Sequence, residues 1–258
     1  MRRIAFPVIL LSLLTELSGC GGGGSGADTS TSTSAAAAAP SATASGSAPA
    51  PVAPPLGAHR VFAEVLVDNL NNTINRTMTS DVTGVGADGS FTVHEEDPSH
   101  ARTFSGTVDH SLYPTDFHYD ATGAGLDYIV TRPTSAVHCS YADRVGNAPA
   151  RLMVGASWTI SYTLACDGGA PLAYTQSSTV PNVETVTVAA GTFKAYKIVS
   201  AVSYALNGIT HANTVTRWRN ADAAQPQTVK ETVQYTYSGN PPPSGAPTSF
   251  TEELQSYR

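Results

Sequence analysis

The sequence predicts an all-β fold, an antiparallel meander sheet with a disordered tether ahead of it. Three observations carry this. From residue 58 onward apolar residues recur at every second position rather than every 3.6, and no stretch of useful length is amphipathic as a helix. Hairpin-type turn signals separate the alternating runs. Charged residues make up only 13% of the chain, and Thr, Ser, Asn and Gln take their place, as on wet sheet faces where strand propensity matters.

In chain order, "HRVFAEVLV" and "NTINRTMTSDV" read as the first two strands. Asp88-Gly89 turns the chain into "SFTVHE", and "RTFSGTVDHS", "LDYIVT" and "SWTISYTLA" continue the series. In "YKIVSAVSYAL" Tyr196, Ile198, Val202, Tyr204 and Leu206 fall on one face, with Ser200 among them. Lys197, Val199, Ala201, Ser203 and Ala205 fall on the other, which makes a long half-buried strand. Asn207-Gly208 is the strongest short hairpin signal, because both residues tolerate positive φ. The chain returns through "ITHANTVTRWR"; then Val229, Val233, Tyr235 and Tyr237 alternate with Lys230, Thr232, Gln234 and Thr236. After the loop "SGNPPPSGAP", "TSFTEELQSYR" reads as a closing strand.

The first nineteen residues have the form of an export signal. Arg2 and Arg3 give a positive start, Ile4 to Leu14 an apolar core too short to span a bilayer, and Ser18-Gly19 a small-residue cleavage region. Leu17-Ser18-Gly19-Cys20 resembles the lipobox of bacterial lipoproteins. The resemblance implies cleavage before Cys20, acylation of its thiol and anchoring by several chains, which is stable where one chain is marginal. Gly21 after the cysteine, rather than Asp, implies sorting to the outer membrane. The alternative is an ordinary signal peptide with a chance cysteine. Residues 20–57, "CGGGGSGADTSTSTSAAAAAPSATASGSAPAPVAPPLG", carry one charge and no aromatic, too little apolar area to offset the entropy of folding. They form the tether, either bare or, as "PSATASGSAPAP" resembles, O-glycosylated. Residues 58–258 remain as a single domain of ordinary size.

With Cys20 committed to lipid, Cys139 and Cys166 are left in an exported domain, where two cysteines are expected to pair; two free thiols are the alternative. The pair would tie the segment "AVHCSYADR", read as a loop, to the end of the strand "SWTISYTLAC".

Two segments carry a second resemblance. "PARLMVGASWTISY", with Val154-Gly155 and Trp158, and "VETVTVAAGTFKAYKIV", with Val186, Val188, Ala190, Gly191, Thr192 and Phe193, resemble motifs of exported Gram-negative proteins that include TapB-like lipoproteins. That group is similar in look to the LolA and LolB carriers. The resemblance implies a curved sheet closed only part-way, an open or half barrel. Ala189 stands where proline is common in the group. Trp218 and Lys230 match a later motif with a different loop between them. Physically, Gly191 is a strand break at which Phe193 re-enters the apolar face, and it should tolerate a side chain less well than Gly239 in the polar loop.

The sequence gives no sign of catalysis, metal or cofactor: it has no G-x-S-x-G, no H-E-x-x-H and no C-x-x-C. His94-Glu95-Glu96-Asp97 before Pro98 reads as a solvated turn. His118, Asp120 and nearby His110 read as surface residues, and His138 beside Cys139 matters only if that thiol is free. A net charge of −6 and three lysines in all, Lys194, Lys197 and Lys230, exclude a basic stripe for nucleic acid. Two function classes stand. One is a membrane-anchored, non-catalytic binding module for an apolar ligand or acyl chain, lined by Tyr196, Ile198, Tyr204 and Leu206; the same face is otherwise a filled core. The other is an envelope structural or assembly factor that meets a protein partner through an edge strand or the "SGNPPPSGAP" loop.

Overall fold

The computed structural model describes residues 53–149, 151–222 and 227–258. The signal peptide, Cys20 and the tether up to residue 52 lie outside them. Among the described residues there are fourteen strands and no helix: β1 (His59–Asp68), β2 (Thr73–Val85), β3 (Phe91–Glu96), β4 (Phe104–Ser105), β5 (Val108–Asp109), β6 (Thr115–Tyr119), β7 (Gly125–Arg132), β8 (Ser135–Val145), β9 (Ser157–Cys166), β10 (Leu172–Val188), β11 (Gly191–Leu206), β12 (Ile209–Asn220), β13 (Thr228–Gly239) and β14 (Pro247–Tyr257). All pairings are antiparallel, and apart from β4 and β5 each strand lies beside its neighbours in sequence.

The sheet closes, where the second resemblance implies an open one. β14 pairs with β13 on one side and with β1 on the other, from Arg60 opposite Tyr257 to Asp68 opposite Pro247. The expected closing strand therefore completes a twelve-strand barrel, and closure leaves no unpaired edge. Strand alternation sorts the residues. On β1, Phe62, Glu64, Leu66 and Asp68 point inward and are buried. Outward positions are Thr73, Asn75, Thr77 and Thr79 on β2, Ser157, Thr159, Ser161 and Thr163 on β9, and Lys230, Thr232, Gln234 and Thr236 on β13. That is a water-facing exterior, not the apolar band of a membrane-spanning barrel.

Two excursions occupy the ends. β3 and β6 are short, and residues 97–114 between them carry the β4–β5 hairpin over the inner side of β1 and β2. Thr107 N donates to Ser244 O (2.7 Å), Asn72 Nδ2 to Ser105 Oγ (2.8 Å) and Asn69 N to Ala246 O (2.8 Å). The "SGNPPPSGAP" loop is thus docked at its C-terminal half, with Ala246 buried. At the other end the long β10–β11 hairpin bends inward. Val180 and Pro181 form a bulge opposite Ile198, a position that suits a proline without a ladder donor. Beyond the bend the tip Ala189-Ala190 reaches β14, where Ala190 N donates to Leu254 O (3.2 Å), and Val188 and Phe193 pack with Phe62, Met78, Val229 and Leu254. Gly191 follows this tight turn at φ +139°, and Phe193 re-enters the apolar face as the sequence suggests.

Several segments differ from the sequence reading. "RTFSGTVDHS" yields only the two-residue strands β4 and β5. "AVHCSYADR" is not a loop but the strand β8, and Cys139 faces Cys166 across the β8–β9 ladder, the two joined in a disulfide with Cα atoms 4.0 Å apart. Closing that 27-residue separation contributes about 3–4 kcal/mol on a chain-entropy basis. His94, Glu95 and Glu96 are not a solvated turn but part of β3, with Glu95 only 1% exposed. Gly57, read as tether, already donates to Val82 O (2.9 Å).

Candidate functional site

The barrel interior has two walls of opposite chemistry. The first is a continuous arc of rings. Phe91 on β3 stacks on Tyr119 (4.8 Å between centroids), and the contacts run on through Phe117, Tyr128, Tyr141, Tyr162, Tyr174, Tyr204 and His211 to Tyr237 on β13. The arc exists because register places an inward ring on each successive strand, and two on β6: Tyr174 lies opposite Tyr162, Tyr204 opposite His211, and His211 opposite Tyr237. Cross-strand aromatic pairs of this kind stabilise a sheet. The middle rings meet face to face, Tyr162 on Tyr174 at 5.1 Å and Tyr204 on His211 at 4.3 Å.

Burial pushes the phenols of Tyr128, Tyr141, Tyr162, Tyr174, Tyr235 and Tyr237 upward, and that of Tyr204 up to about 12. They remain protonated donors. Burial lowers His211 and keeps it neutral. On this wall Tyr174 OH, His211 Nε2 and Asn213 Oδ1 have no hydrogen-bond partner, on side chains 2%, 8% and 4% exposed; Glu64 Oε1 on the opposite wall has none either. Beside them Gln176, Ser178 and Ser200 bond one another, with Ser178 Oγ 2.8 Å from Ser200 Oγ. Tyr141, Tyr204, Tyr235 and Tyr237 face inward and are half-buried.

The second wall is a charged row. Register sets Arg76 (β2), Glu64 (β1), Glu252 (β14), Glu231 (β13) and Arg217 (β12) side by side, all inward and nearly all out of solvent. Arg76 Nε donates to Glu64 Oε2, and Arg217 Nε to Glu231 Oε2 (2.6 Å). Arg76 Nη1 also donates to His110 O (2.5 Å), which ties the 97–114 excursion to the wall. Burial pushes the Glu64 carboxyl up; Arg76 and a hydrogen bond shared with Glu252 pull it down, and the net direction is upward. Tyr235 stands between the walls and feels the charges of Tyr204, Glu231 and Arg76.

Of the residues read as a ligand-facing surface, Ile198, Tyr204 and Leu206 are on the inward face of β11. Tyr196 lies where the alternation of β11 is interrupted, between buried Ala195 and half-buried Lys197. Alternation slips between Ala195 and Ile198, both buried, beside the β10 bulge, and a strict period of two misplaces Tyr196. Tyr237 apart, the rest of the arc and the charged row are absent from the sequence reading.

The remaining histidines lie outside the aromatic arc, and of them His110 borders the charged row. His59, Asp81, His94 and Asp116 stand opposite one another on the outside of β1, β2, β3 and β6, with His59 Nδ1 2.6 Å from Asp81 and His94 Nδ1 2.7 Å from Asp116. His118 pairs with Asp127, whose second oxygen is 3.7 Å from His138 Nε2. Asp120 caps its own turn, accepting from Thr122 N and Ala124 N, and His110 is buried with Nε2 2.8 Å from Gly245 O. Among the described residues no group of three or more such ligands is arranged to hold a metal ion.

Fold and site together define a closed antiparallel barrel whose interior carries an aromatic arc and a charged row. No family model matches the chain, and no curated protein matches it. Among solved structures it is similar to a protein described as exported, with a YmcC-like fold, from Bacteroides fragilis (11% identity, 80% of this chain and 98% of that one, TM-score 0.44). It is also similar to a protein described as a lipoprotein from Parabacteroides distasonis (10%, 79% and 96%, 0.44) and to the hypothetical lipoprotein YmcC of Escherichia coli (8%, 75% and 85%, 0.37).

Proposed function

We propose that the protein is a lipid-anchored envelope lipoprotein of the outer membrane whose barrel is a non-catalytic binding module with its ligand site in the lumen. The anchor rests on the lipobox-like Leu17-Ser18-Gly19-Cys20. The observation that carries the binding role is the set of unpartnered atoms, Tyr174 OH, His211 Nε2 and Asn213 Oδ1, buried on one wall beside half-buried inward tyrosines. A fold built for stability alone pairs such groups or replaces them; each buried orphan costs about 1–3 kcal/mol. An assembly role through the "SGNPPPSGAP" loop is less favoured, because the loop is half consumed by contacts to β1, β5 and the 97–114 excursion.

The anchor is tested by Cys20→Ala with palmitate-analogue labelling and membrane fractionation. Loss of label and release from the membrane are expected; equal labelling and retention refute the anchor. The binding role is tested by native mass spectrometry of the protein drawn gently from its own envelope. A non-covalent adduct released on unfolding is expected. Absence of any adduct, with no rise in melting temperature on adding envelope extract, refutes it.

A further inference from the structure

We propose that the barrel sits end-on against a lipid bilayer, on the rim where the chain from Cys20 enters it; this rests on the lipid anchor and not on the lumen. Strand direction decides which segments share that rim. β1 and β7 start there and β2, β8 and β14 end there, beside the β10–β11 tip. The segment that leads into β1 is tied to the same end, since Gly57 N donates to Val82 O and His59 N to Arg258 O (3.0 Å). Most of the large apolar side chains that the described residues leave in water stand on this rim: Leu56, Val85, Leu126, Val145, Met153 and Val154. At the opposite end there are only Leu70 and Phe104. Val145, Met153 and Val154 are 68%, 61% and 58% exposed.

A built turn presents the last two. Ala156 N donates to Met153 O (3.0 Å), and Gly155 takes the positive φ, +87°, that such a turn needs after its tip residue Val154. Two more backbone bonds pin the turn to the β10 bulge: Gly155 N donates to Val180 O (2.8 Å) and Val180 N to Ala156 O (2.9 Å). Turn tips that face water carry Asn, Asp, Ser or Gly, whereas this one holds Met and Val out in solvent. Arg144 and Arg151, next to Val145 and two residues before Met153, supply guanidiniums for lipid phosphates. Of the acids nearby, Asp88 and Asp120 bond within their own turns, and Asp143 neighbours Arg144. The chain outside the described residues joins this rim to the lipobox-like cysteine, so a bilayer is the surface the anchor keeps beside it. The polar outer faces of β2, β9 and β13 disfavour lying side-on. A few apolar tips hold a protein on lipid no better than one acyl chain does, so the rim orients what the anchor retains.

The test couples the complete mature chain through its Cys20 thiol to a maleimide phospholipid in phosphatidylethanolamine–phosphatidylglycerol vesicles. Cys139 and Cys166 are joined to each other, so Cys20 is the thiol that reacts. Hydrogen exchange is compared between coupled and free chains. Exchange of the amides of residues 151–154 is expected to slow about threefold or more on the vesicles, with residues 99–107 and 240–244 at the other end unchanged. The exposed double substitution Met153→Glu, Val154→Glu should keep the melting temperature and abolish that slowing. Rim amides that exchange alike with and without vesicles, or slowing shared by both ends, overturn the docking and leave the anchor standing. Slowing of the same amides without vesicles, with a dimer in sedimentation that the double variant loses, assigns the rim to a second copy and also overturns it. Equal palmitate labelling of wild type and Cys20→Ala in cells overturns the anchor and the docking with it.

Discussion

The two walls of the lumen solve the problem of buried polarity in opposite ways. On the charged row each guanidinium meets a carboxylate and the surplus carboxyl is bonded to its neighbour. On the aromatic arc Tyr174, His211 and Asn213 carry atoms that meet nothing. The first wall pairs its charges, although Glu64 Oε1 meets no hydrogen-bond partner either. The second leaves neutral donors and acceptors unspent, the capacity on which the proposed binding role draws.

The largest effect that can break this comparison is on the charged row. Glu64→Gln leaves the Arg76 guanidinium buried without its counter-charge and should cost about 3–5 kcal/mol in urea unfolding. Glu252→Gln keeps a hydrogen-bonding partner for Glu64 and removes no charge that faces Arg76 directly, so it should cost less than about 1 kcal/mol. Equal costs would mean that the Arg76–Glu64 pair is not what anchors the row.

A smaller effect concerns the hairpin ends that frame the lumen. The sequence singles out Gly191 as the demanding glycine and Gly239 as tolerant, and the structure reverses the order. At Gly191 a Cβ meets only the Phe193 ring at 3.8 Å, so Gly191→Val carries backbone strain alone, about 1–2 kcal/mol. Gly239, at φ +88°, closes the ladder opposite Ile209, and a Cβ there runs into the Gly208 carbonyl oxygen. Gly239→Val should melt lower than Gly191→Val.

The smallest effect is in pH. The walls titrate with opposite sign. Burial lowers His211 and, at the edge of the other wall, His110, so the unfolded chain takes up these protons first. Their contribution is intact above about pH 6.5 and is lost as pH falls below it. Burial raises Glu64, so its contribution is fully present below its unfolded value of 4.5 and is lost as pH rises through the folded one. Denaturation followed from pH 7.5 to 5 should show His211→Gln flattening the acid loss and Glu64→Gln leaving it in place.

Fold class was legible because period-two alternation survives in single strands, as in "YKIVSAVSYAL", and Asn207-Gly208 makes the expected turn with both residues at positive φ. Closure was not, because it depends on which strand meets β1, a contact nearly two hundred residues away in sequence. β8 hid behind Arg144, Asp143 and His138, polar residues in a strand with few apolar neighbours in sequence. The interior face was visible at Ile198, Tyr204 and Leu206 on β11 and at Tyr235 and Tyr237 on β13. Rings contributed by nine strands form an arc only once register is known, and Glu64, Glu231 and Glu252 look like ordinary surface charges until β1, β13 and β14 lie side by side.

The most direct measurement of the central claim is the thermal melt of the ligand-free mature chain against the triple variant Tyr174→Phe, His211→Leu, Asn213→Leu. If these atoms are held unpaired for a ligand, removing them relieves buried orphans and the variant melts at or above the wild type. A variant that melts well below the wild type would show that the three groups serve the barrel itself and would contradict the assignment of the lumen as a binding site.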